Sequence, residues 1–328
     1  MQCSRKNKNM KSYLTCASHS PLLYCFDKPP DDWEALQKAY AEREQAIKDF
    51  DAELVFAFGA DHFNGFFLKL MPSFCIGLAA EAVGDIGGFE GPLDVPQAEA
   101  TEVVRFVREQ DVDVAVSYKM TIDHAFSQTI NNMLGGLAAK PTIPIFINCI
   151  APPLVPFRRS RMLGEAIGKY ATTLNKKVLF LASGGMSHHP TRYYPDLGDG
   201  PDDVTAWQLS GGDDPESLSP QEWIDRLEEM HIEGAKMITR GERTAEHMRL
   251  NADADARFLE VLTSGDIAQY DGWIPAEVVK EAGIGSMELH TWIAATAAHL
   301  AAGGKNPQTD FYSVAPELGI AAGIVHAA

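Results

Sequence analysis

The stretch Asn175-Lys-Lys-Val-Leu-Phe-Leu-Ala-Ser-Gly-Gly-Met-Ser-His188 joins a short apolar run to a pair of glycines and a histidine. A continuous apolar run of about four to eight residues, closed by turn residues, is typical of a strand buried on both faces of a parallel sheet. The sequence contains five such runs, which we predict to be strands: Ser12–Ala17, Leu54–Phe58, Val112–Tyr118, Ile143–Ile150 and Val178–Ala182.

Longer segments with helical periodicity alternate with these runs and follow them. The predicted helices are Trp33–Phe50, Gln97–Glu109, Arg161–Leu174, Pro220–Arg240 and Met287–Ala302. Strands that alternate with helices are typical of an α/β fold, because crossover helices cover the faces of a parallel sheet. We therefore predict a single α/β domain, with a mixed or mostly parallel central sheet, helices on both faces and an active site at the strand carboxyl ends.

The composition is that of a globular protein and excludes a disordered or membrane-spanning chain. Of 328 residues, 45% are hydrophobic and 22% are charged, and the mean hydropathy is −0.14. The net charge of −17 opposes binding to nucleic acid or to an anionic membrane, since both would be repelled. The five cysteines are scattered without a Cys-x-x-Cys pair, which predicts a reduced, cytoplasmic protein.

Several segments depart from the regular pattern. Residues 1–9 are basic and polar, and we predict that they form a flexible N-terminal extension before one catalytic domain at 10–328. Residues 190–220 are rich in Gly, Pro and Asp and lack periodicity, which predicts a long loop. The strand-like runs end near residue 182, so the rest of the chain is expected to be helical. The apolar end of the chain, Pro316–Ala328, is far too short to span a bilayer.

Four histidines follow the predicted strands: His19, His62, His124 and His188. Ligands of open α/β sheets bind outside the carboxyl ends of the strands, so four imidazoles placed there are expected to converge on one site. A single histidine at a strand end is more often a hydrogen-bonding residue of the fold. The prediction of a site therefore depends on the four histidines together.

Two histidines and one carboxylate form the facial triad that suits non-haem Fe(II) and leaves coordination positions open. Glu288 is the candidate carboxylate, because it shares a helical row with Ile284 and Trp292, where an ionised side chain needs a cation. Periodicity alone favours the alternative that Glu288 lies on the surface of the helix. The residues by themselves leave that choice open.

Longer motifs resemble those of a known family. They are Cys16-Ala-Ser-His19-Ser-Pro21, Gly59-Ala-Asp-His62-Phe-Asn-Gly-Phe-Phe67, Ile122-Asp-His124-Ala-Phe126, Arg161-Met-Leu-Gly-Glu-Ala-Ile-Gly168, the stretch Asn175 to His188 and Glu288-Leu-His-Thr-Trp292. These motifs are similar to those of class III extradiol catechol dioxygenases, the superfamily of the protocatechuate 4,5-dioxygenase β subunit. Within it, the last three motifs, from Arg161 to Gly168, from Asn175 to His188 and from Glu288 to Trp292, most resemble the branch that acts on 2,3-dihydroxyphenylpropionate. The resemblance covers most of the chain from Met10 to about Ala302.

The resemblance implies an Fe(II)-dependent enzyme that opens a 3-substituted catechol with O₂, cutting the ring beside its two hydroxyls. It implies that His19, His62 and Glu288 bind the iron. His124 would be the proton donor and His188 the proton acceptor, roles that suit imidazole because its pKa lies near neutral pH. The expected substrate is 2,3-dihydroxyphenylpropionate or a related arylalkanoate, used in aromatic catabolism by a homo-oligomer.

An anionic substrate tail would need a cation despite the acidic background of the chain. Arg158, Arg159 and Arg161 follow the fourth predicted strand, where a helix N-terminus could add positive potential. They are therefore candidates for contact with the substrate, although at least two of them are expected to be solvated surface residues.

Other residues near the motifs are given no role in the site. Asp61 and Asp123 could each orient a neighbouring imidazole, but aspartates in such segments more often form turns or cap helices. Cys16 is expected to be a buried core residue. Further histidines are expected to be structural: His189, His231, His247, His290, His299 and His326.

Two other functions could use the same site residues. Zn²⁺ in place of iron would activate water for hydrolysis, because the metal that is bound depends on availability as well as on ligands. A metal-binding protein without enzymatic activity could also be built on this scaffold. All five site positions carry the residues that catalysis needs, which argues against the inactive alternative.

Overall fold

The structure, a computed structural model, describes residues 11–190, 194 and 196–328. Its strands are β1 (Ser12–Ala17), β2 (Leu54–Gly59), β3 (Phe74–Gly77), β4 (Ala80–Val83), β5 (Glu90–Pro92), β6 (Ala115–Ser117), β7 (Met120–Ile122), β8 (Thr142–Ile147), β9 (Val178–Ser183), β10 (Gln308–Ala315) and β11 (Ile320–Ala327). Its helices are α1 (Trp33–Phe50), α2 (Gln97–Glu109), α3 (His124–Leu134), α4 (Phe157–Thr173), α5 (Asp202–Ser210), α6 (Pro220–Thr239), α7 (Ala252–Ser264), α8 (Pro275–Ala282) and α9 (Leu289–Ala301). The predicted extension at residues 1–9 lies outside the described residues.

The central sheet has the strand order β10-β11-β1-β9-β2-β8-β3-β6. Strands β1, β9, β2 and β8 run parallel, whereas β11 and β3 are antiparallel to their neighbours β1 and β8. Alternate side chains of β2 enter different cores: Leu54, Phe56 and Phe58 pack with α2, α4, α7 and α9, and Val55 and Ala57 with α1 and α3. The predicted mixed sheet between two helical layers is confirmed.

The strand predicted at Val112–Tyr118 is reduced to the three residues of β6, at the edge of the central sheet. The next strand, β7, belongs to a smaller sheet with the order β5-β4-β7 and leads directly into α3. His124 is the first residue of α3, and Asp123 caps that helix by accepting a hydrogen bond from Ala125 N. His124 thus follows the predicted strand only after β7 and enters the site from the start of α3.

The C-terminal residues form a hairpin of β10 and β11, and β11 pairs antiparallel with β1 inside the central sheet. The expectation that the strands end near residue 182 is wrong. Ala and Gly in β11 have low β propensity, but β propensity depends on packing against neighbours, and β11 is buried between two strands. The carbonyl of Gly323 accepts a hydrogen bond from Ser18 N (2.9 Å), so this hairpin also holds the segment that leads to His19.

The segment 190–220 is not a loop throughout, because α5 lies within it. Trp207 of α5 packs against Trp223 of α6, with ring centroids 5.7 Å apart. The indole N–H of Trp207 also donates a hydrogen bond to the carbonyl of Phe63 (2.8 Å). These residues belong to a third, smaller apolar cluster, through which α5 and α6 cover the segment that follows β2.

No helix in the described ranges is long and apolar enough to cross a membrane. The described cysteines, Cys16, Cys25, Cys75 and Cys149, are free thiols. Cys16 is buried in the core, as predicted, and burial raises the pKa of its thiol. It therefore stays protonated and packs as a small apolar side chain.

Helices α4 and α9 pack closely because Gly164 has no side chain. A Cβ at Gly164 would lie 2.0 Å from the carbonyl oxygen of Ala294 and 2.7 Å from Cβ of Ala297. We expect Gly164→Ala to lower the free energy of unfolding, measured by urea denaturation, by about 1–3 kcal/mol, as overpacking commonly does. Gly272→Ala is the control, since a Cβ there meets no atom of the described chain within 4 Å. An equal loss in both variants would show that the helix contact is not the cause.

Candidate active site

Three of the predicted histidines follow adjacent strands of the central sheet. His19, His188 and His62 come after the carboxyl ends of β1, β9 and β2, which are neighbours in that order. Parallel strands end at the same edge of a sheet, so these side chains meet there. His124 joins them from the start of α3, and all four line one cavity. The ring centroid of His124 lies 5.3 Å from that of His19 and 4.5 Å from that of His62.

The rings of His19 and His62 are oriented by contacts to their Nδ1 atoms. Nδ1 of His19 pairs with Ser183 Oγ at 2.9 Å, and Nδ1 of His62 pairs with Asp123 Oδ2 at 3.1 Å. Because Nδ1 is engaged, Nε2 is the nitrogen that each ring presents to the centre of the cluster. Asp123 therefore orients His62 and not His124, its neighbour in the sequence.

Glu288 is almost fully buried, with 1% of its surface exposed, and faces both of these histidines. Its Oε1 lies 3.4 Å from Nε2 of His19 and 3.2 Å from Nε2 of His62. Burial alone would raise the pKa of this carboxyl, but the two imidazoles lower it well below its usual value, so Glu288 is ionised. The backbone N–H of Gly185 donates a hydrogen bond to Oε2 at 2.5 Å. The alternative of a surface glutamate, which periodicity alone favours, is therefore wrong.

These donor atoms fit a divalent metal ion. Oε1 of Glu288 accepts no hydrogen bond from the described residues, although it is buried and anionic. Two imidazole nitrogens and a carboxylate oxygen form the donor set of a facial triad. His124 is a further possible ligand, because donor atoms of His19, His62 and His124 lie within 4.8 Å of one another. The cluster therefore offers four candidate donors to one ion.

Sequence reasoning missed Asp85, which orients His124. Oδ2 of Asp85 lies 2.5 Å from Nδ1 of His124, and Oδ1 accepts a hydrogen bond from the backbone N–H of His124 at 2.7 Å. Asp85 is buried and comes from the smaller sheet, between β4 and β5. The two residues are 39 positions apart, so no local motif pointed to the pair. Nε2 of His124 is consequently the nitrogen left to act in the cavity.

His188 is held tightly and in one orientation. Nδ1 donates a hydrogen bond to the carbonyl of Met186 at 2.8 Å, so Nε2 carries the lone pair. A Cβ on Gly285 would lie 2.1 Å from this Nε2, so position 285 has no space for a side chain. Burial lowers the pKa of His188, which keeps the ring neutral and able to accept a proton at neutral pH.

The segment that carries His188 is fixed by the C-terminal hairpin and by α7. Ala321 of β11 accepts a hydrogen bond from Met186 N (3.2 Å) and donates one to the carbonyl of Ser187 (3.0 Å). Asp255 of α7 accepts hydrogen bonds from the backbone N–H and the hydroxyl of Ser187, at 2.9 and 2.6 Å. Tyr312 of β10 donates to the same carboxylate at 2.9 Å. The hairpin that sequence patterns did not predict thus positions a predicted site residue.

The space beside the histidines is small and divided. The cavity that they line, which we call the histidine cavity, has a volume of about 40 Å³, and an adjoining cavity of about 60 Å³ shares His62, His188, Pro190 and Tyr194 with it. The ring centroid of Tyr194 lies 5.0 Å from that of His62. Both volumes are far below the several hundred Å³ typical of ligand pockets. Neither cavity by itself therefore has the volume typical of a site that encloses a small-molecule ligand.

Two residues of the histidine cavity were not expected there: His231 and Arg243. Nδ1 of His231 donates a hydrogen bond to the carbonyl of Leu227 at 2.7 Å, and burial lowers the pKa of the ring to about 3. His231 is therefore neutral, as a structural histidine would be, but it lies on the cavity wall. It occupies the middle of α6, where no strand end marks it as a site residue.

The three arginines proposed as substrate contacts lie elsewhere. Arg158, Arg159 and Arg161 are absent from the described walls of both cavities. Arg158 is exposed in the first turn of α4, and Arg159 points towards the sulfur of Met162. Arg161 pairs with Glu165 at 2.5 Å and with Asp271 at 2.6 Å. The structure does not bring these cations to the histidines.

Other side chains near the motifs have structural roles. Asp61 accepts hydrogen bonds from the backbone N–H groups of Gly65 (2.9 Å) and Phe66 (3.0 Å), and so forms a turn. Nδ1 of His189 accepts a hydrogen bond from Ile284 N at 3.3 Å, outside the cluster. His290 pairs with the hydroxyl of Ser160, and His326 with Asp310. These residues hold the fold around the site.

Residues 13–323 match the model of the family described as the catalytic LigB subunit of aromatic ring-opening dioxygenase. The chain belongs to this family. The match spans the strands and helices that carry Glu288 and the four predicted histidines, His19, His62, His124 and His188. The expectation of an aromatic ring-opening dioxygenase is confirmed, and the family implies that a metal ion occupies a cluster of this kind.

Several curated relatives of this dioxygenase carry one name, 2,3-dihydroxyphenylpropionate/2,3-dihydroxicinnamic acid 1,2-dioxygenase. The relative from Mycolicibacterium gilvum (strain PYR-GCK) is 42% identical over 93% of this chain and 94% of its own length. The relative from Burkholderia vietnamiensis (strain G4) is 39% identical over 97% of this chain and 98% of its own length. The relative from Pseudomonas putida, whose name ends in a further numeral 1, is 40% identical over 94% of this chain and 96% of its own length. The chain is therefore similar to whole enzymes of this kind and not to a part of them.

A solved structure shares the fold at much lower sequence identity. The uncharacterized protein JW3007 from Escherichia coli K12 superposes with a TM-score of 0.52, at 10% identity, over 96% of this chain and 99% of that protein. At that identity the likeness concerns the fold alone. It agrees with the arrangement of a large mixed sheet between helical layers.

Proposed function

We propose that this dioxygenase uses Fe(II) and O₂ to open 2,3-dihydroxyphenylpropionate, or a related 3-substituted catechol, beside its two hydroxyl groups. The proposal is carried by the convergence of Nε2 of His19, Nε2 of His62 and Oε1 of Glu288 in a chain of the ring-opening dioxygenase family. The names of the relatives supply the substrate class. Both atoms of O₂ enter the product, so the reaction needs no external reductant.

His19, His62 and Glu288 are the proposed iron ligands. When bound, Fe(II) would supply a common centre for the catechol and O₂ and a route for electron density from ring to oxygen, a transfer that the triplet state of O₂ otherwise slows. A dication there also compensates the buried carboxylate of Glu288. His124 is assigned to proton transfer because Glu288 Oε1 contacts His19 and His62 directly and so completes a donor set without it.

His188 is the proposed proton acceptor. Its ring lines the cavity and is neutral because burial lowers its pKa, and the hydrogen bond at Nδ1 leaves the lone pair on Nε2. It can therefore take a proton from a catechol hydroxyl and leave the ring electron-rich. His124 is the proposed proton donor for the later oxygen–oxygen cleavage. Asp85 at its Nδ1 fixes the tautomer and the direction of Nε2.

Asp85→Asn is expected to reduce kcat/KM for catechol cleavage by about 10- to 100-fold, as loss of a partner that orients a site residue commonly does. The reason is that the amide no longer holds His124 by a charged contact at Nδ1. Oxygen uptake gives the rate, and the iron content of the purified variant is expected to stay at the wild-type level. Asp94→Asn, at an exposed aspartate before α2, is the control. Parallel loss of iron in Asp85→Asn would mean that Asp85 acts on metal binding instead.

We also propose one catalytic domain, a homo-oligomeric state and a cytoplasmic location. The family match over residues 13–323 supports one catalytic domain across residues 10–328. The homo-oligomeric state and the cytoplasmic location are predictions from the resemblance and from the cysteine pattern. Size-exclusion chromatography with light scattering measures the first of these two, and cell fractionation the second.

The test of the proposed function compares substrates after anaerobic loading with Fe(II). Oxygen uptake and visible absorbance are followed with 2,3-dihydroxyphenylpropionate, 3-methylcatechol and protocatechuate. Stoichiometric uptake with a yellow ring-opened product, fastest with 2,3-dihydroxyphenylpropionate, is the expected result. The same protein loaded with Zn²⁺ should be inactive, and activity of the zinc form without O₂ would favour the hydrolase alternative. No uptake with any catechol at full iron occupancy would refute the proposal.

A further inference from the structure

We infer that Arg243 binds the carboxylate of the substrate side chain and thereby selects acidic over neutral 3-substituted catechols. The inference rests on the proposed function, because it names a contact of the same site. Its starting point is the position of Arg243 on the wall of the histidine cavity, together with His19, His62, His124 and His188.

Arg243 is held beside the site by its surroundings. Only 8% of its surface is exposed, although most arginines of soluble proteins lie in water. Its Nη2 donates a hydrogen bond to the carbonyl of His189 at 3.3 Å, next to the segment that carries His188. No other Lys or Arg belongs to the described walls of either cavity. Arg243 is therefore the permanent cation of these described walls.

The two adjoining cavities differ in the charge of their walls. The described wall of the histidine cavity contains no carboxylate, whereas the adjoining cavity is lined by Asp196 and Glu288. Because Glu288 is a proposed iron ligand, Asp196 is the carboxylate that would repel an anionic tail in the adjoining cavity, whereas Arg243 would attract it in the histidine cavity. A catechol ring held at the histidines is therefore expected to direct an acidic 3-substituent towards Arg243.

The same wall offers an apolar surface for the carbons between the ring and the carboxylate. Leu22, Leu318 and Ile320 line the histidine cavity, from the turn after His19 and from the C-terminal hairpin. A guanidinium can donate two parallel N–H groups to one carboxylate, which sets direction as well as affinity. The cavity thus has a cation for the carboxylate of an arylpropionate and apolar side chains for its two methylene groups.

The test measures kcat and KM of the Fe(II)-loaded enzyme for 2,3-dihydroxyphenylpropionate and for 3-propylcatechol, which has an uncharged tail of similar length. Arg243→Gln is expected to lower kcat/KM for the acid by about 30- to 1,000-fold, mainly through KM, as loss of a buried charge partner does. The rate with 3-propylcatechol should change little. Arg243→Lys should have a kcat/KM for the acid between those of the wild type and of Arg243→Gln, because lysine keeps the positive charge but lacks the planar pair of N–H donors. Anaerobic titration with the acid should show the same loss as a raised Kd.

Arg240→Gln is the matched control, since Arg240 pairs with Glu233 and Glu242 on the surface, three residues from Arg243. The ratio of the two substrates within one variant does not depend on how much of it folds. An unchanged preference for the acid in Arg243→Gln, or equal losses with both substrates, would overturn the inference. A wild-type enzyme that cleaves both substrates without preference would also overturn it, while leaving the ring cleavage itself intact. Cleavage of neither substrate by the wild type would contradict the proposed function, and the inference with it.

Discussion

Glu288→Gln is expected to lower both the affinity for iron and kcat/KM for ring cleavage by more than about 100-fold. Loss of a residue that merely orients a metal ligand costs about 10- to 100-fold, so loss of a ligand itself should cost more. Gln has nearly the shape of Glu but no charge, so Oε1 loses its attraction for a dication. The buried contacts to His19 and His62 at 3.4 and 3.2 Å would then join neutral groups. Metal analysis of anaerobically loaded protein and oxygen uptake measure the two effects.

Two variants serve as controls for Glu288→Gln. Glu277→Gln changes an exposed glutamate of α8 and should affect neither iron nor rate. His124→Gln tests whether His124 is a ligand, because it also lies within reach of a shared ion. It should keep iron and lose activity if His124 transfers protons. If Glu288→Gln kept full iron occupancy, or if only His124→Gln lost iron, the assignment of Glu288 as an iron ligand would be wrong.

His188→Gln is expected to reduce kcat by about 10²- to 10⁴-fold, the usual contribution of a positioned acid or base. An amide in this place can still donate a hydrogen bond but cannot accept a proton at neutral pH. Iron content should stay at the wild-type level, because His188 is not one of the proposed ligands. Its ring is held by Met186, whereas Glu288 Oε1 contacts His19 and His62. Single-turnover measurements with preloaded iron separate the chemical step from metal loss.

His189→Gln is the matched control for this variant, at the neighbouring position. His189 is half-buried, and its Nδ1 contacts Ile284 N instead of the cavity. Its replacement should leave kcat near the wild-type value. If His188→Gln and Glu288→Gln lost iron equally, the division between proton acceptor and metal ligand would be wrong.

Local patterns predicted much of the central architecture. β1, α1 and α2 have the predicted bounds, and β2, β8 and β9 differ by a few residues at their ends. These elements have continuous apolar runs or clear helical periodicity, so their identity is set by side chains close together in the chain. The position of three histidines at one edge followed from the same reasoning, because β1, β9 and β2 are parallel.

The partners of these histidines could not be predicted in that way. Asp85 and His124 are 39 positions apart, and His62 and Asp123 are 61 positions apart. Asp61 and Asp123 each precede a histidine in the sequence, yet Asp123 orients an imidazole and Asp61 closes a turn. Only the fold distinguishes the two, since it decides which side chain lies within hydrogen-bond distance.

The amino-acid sequence by itself determined the α/β class and the family, and its motifs suggested the five residues proposed for catalysis and metal binding, because each depends on local patterns or on contiguous motifs. The tertiary structure alone decided the C-terminal hairpin, the entry of His124 from a second sheet and the presence of Arg243 in the cavity. In β11, Val325 pairs with Cys16 of β1, so a strand of low propensity is stabilised by a partner from the other end of the chain. Such contacts join residues that are far apart in the sequence, so local sequence patterns do not predict them.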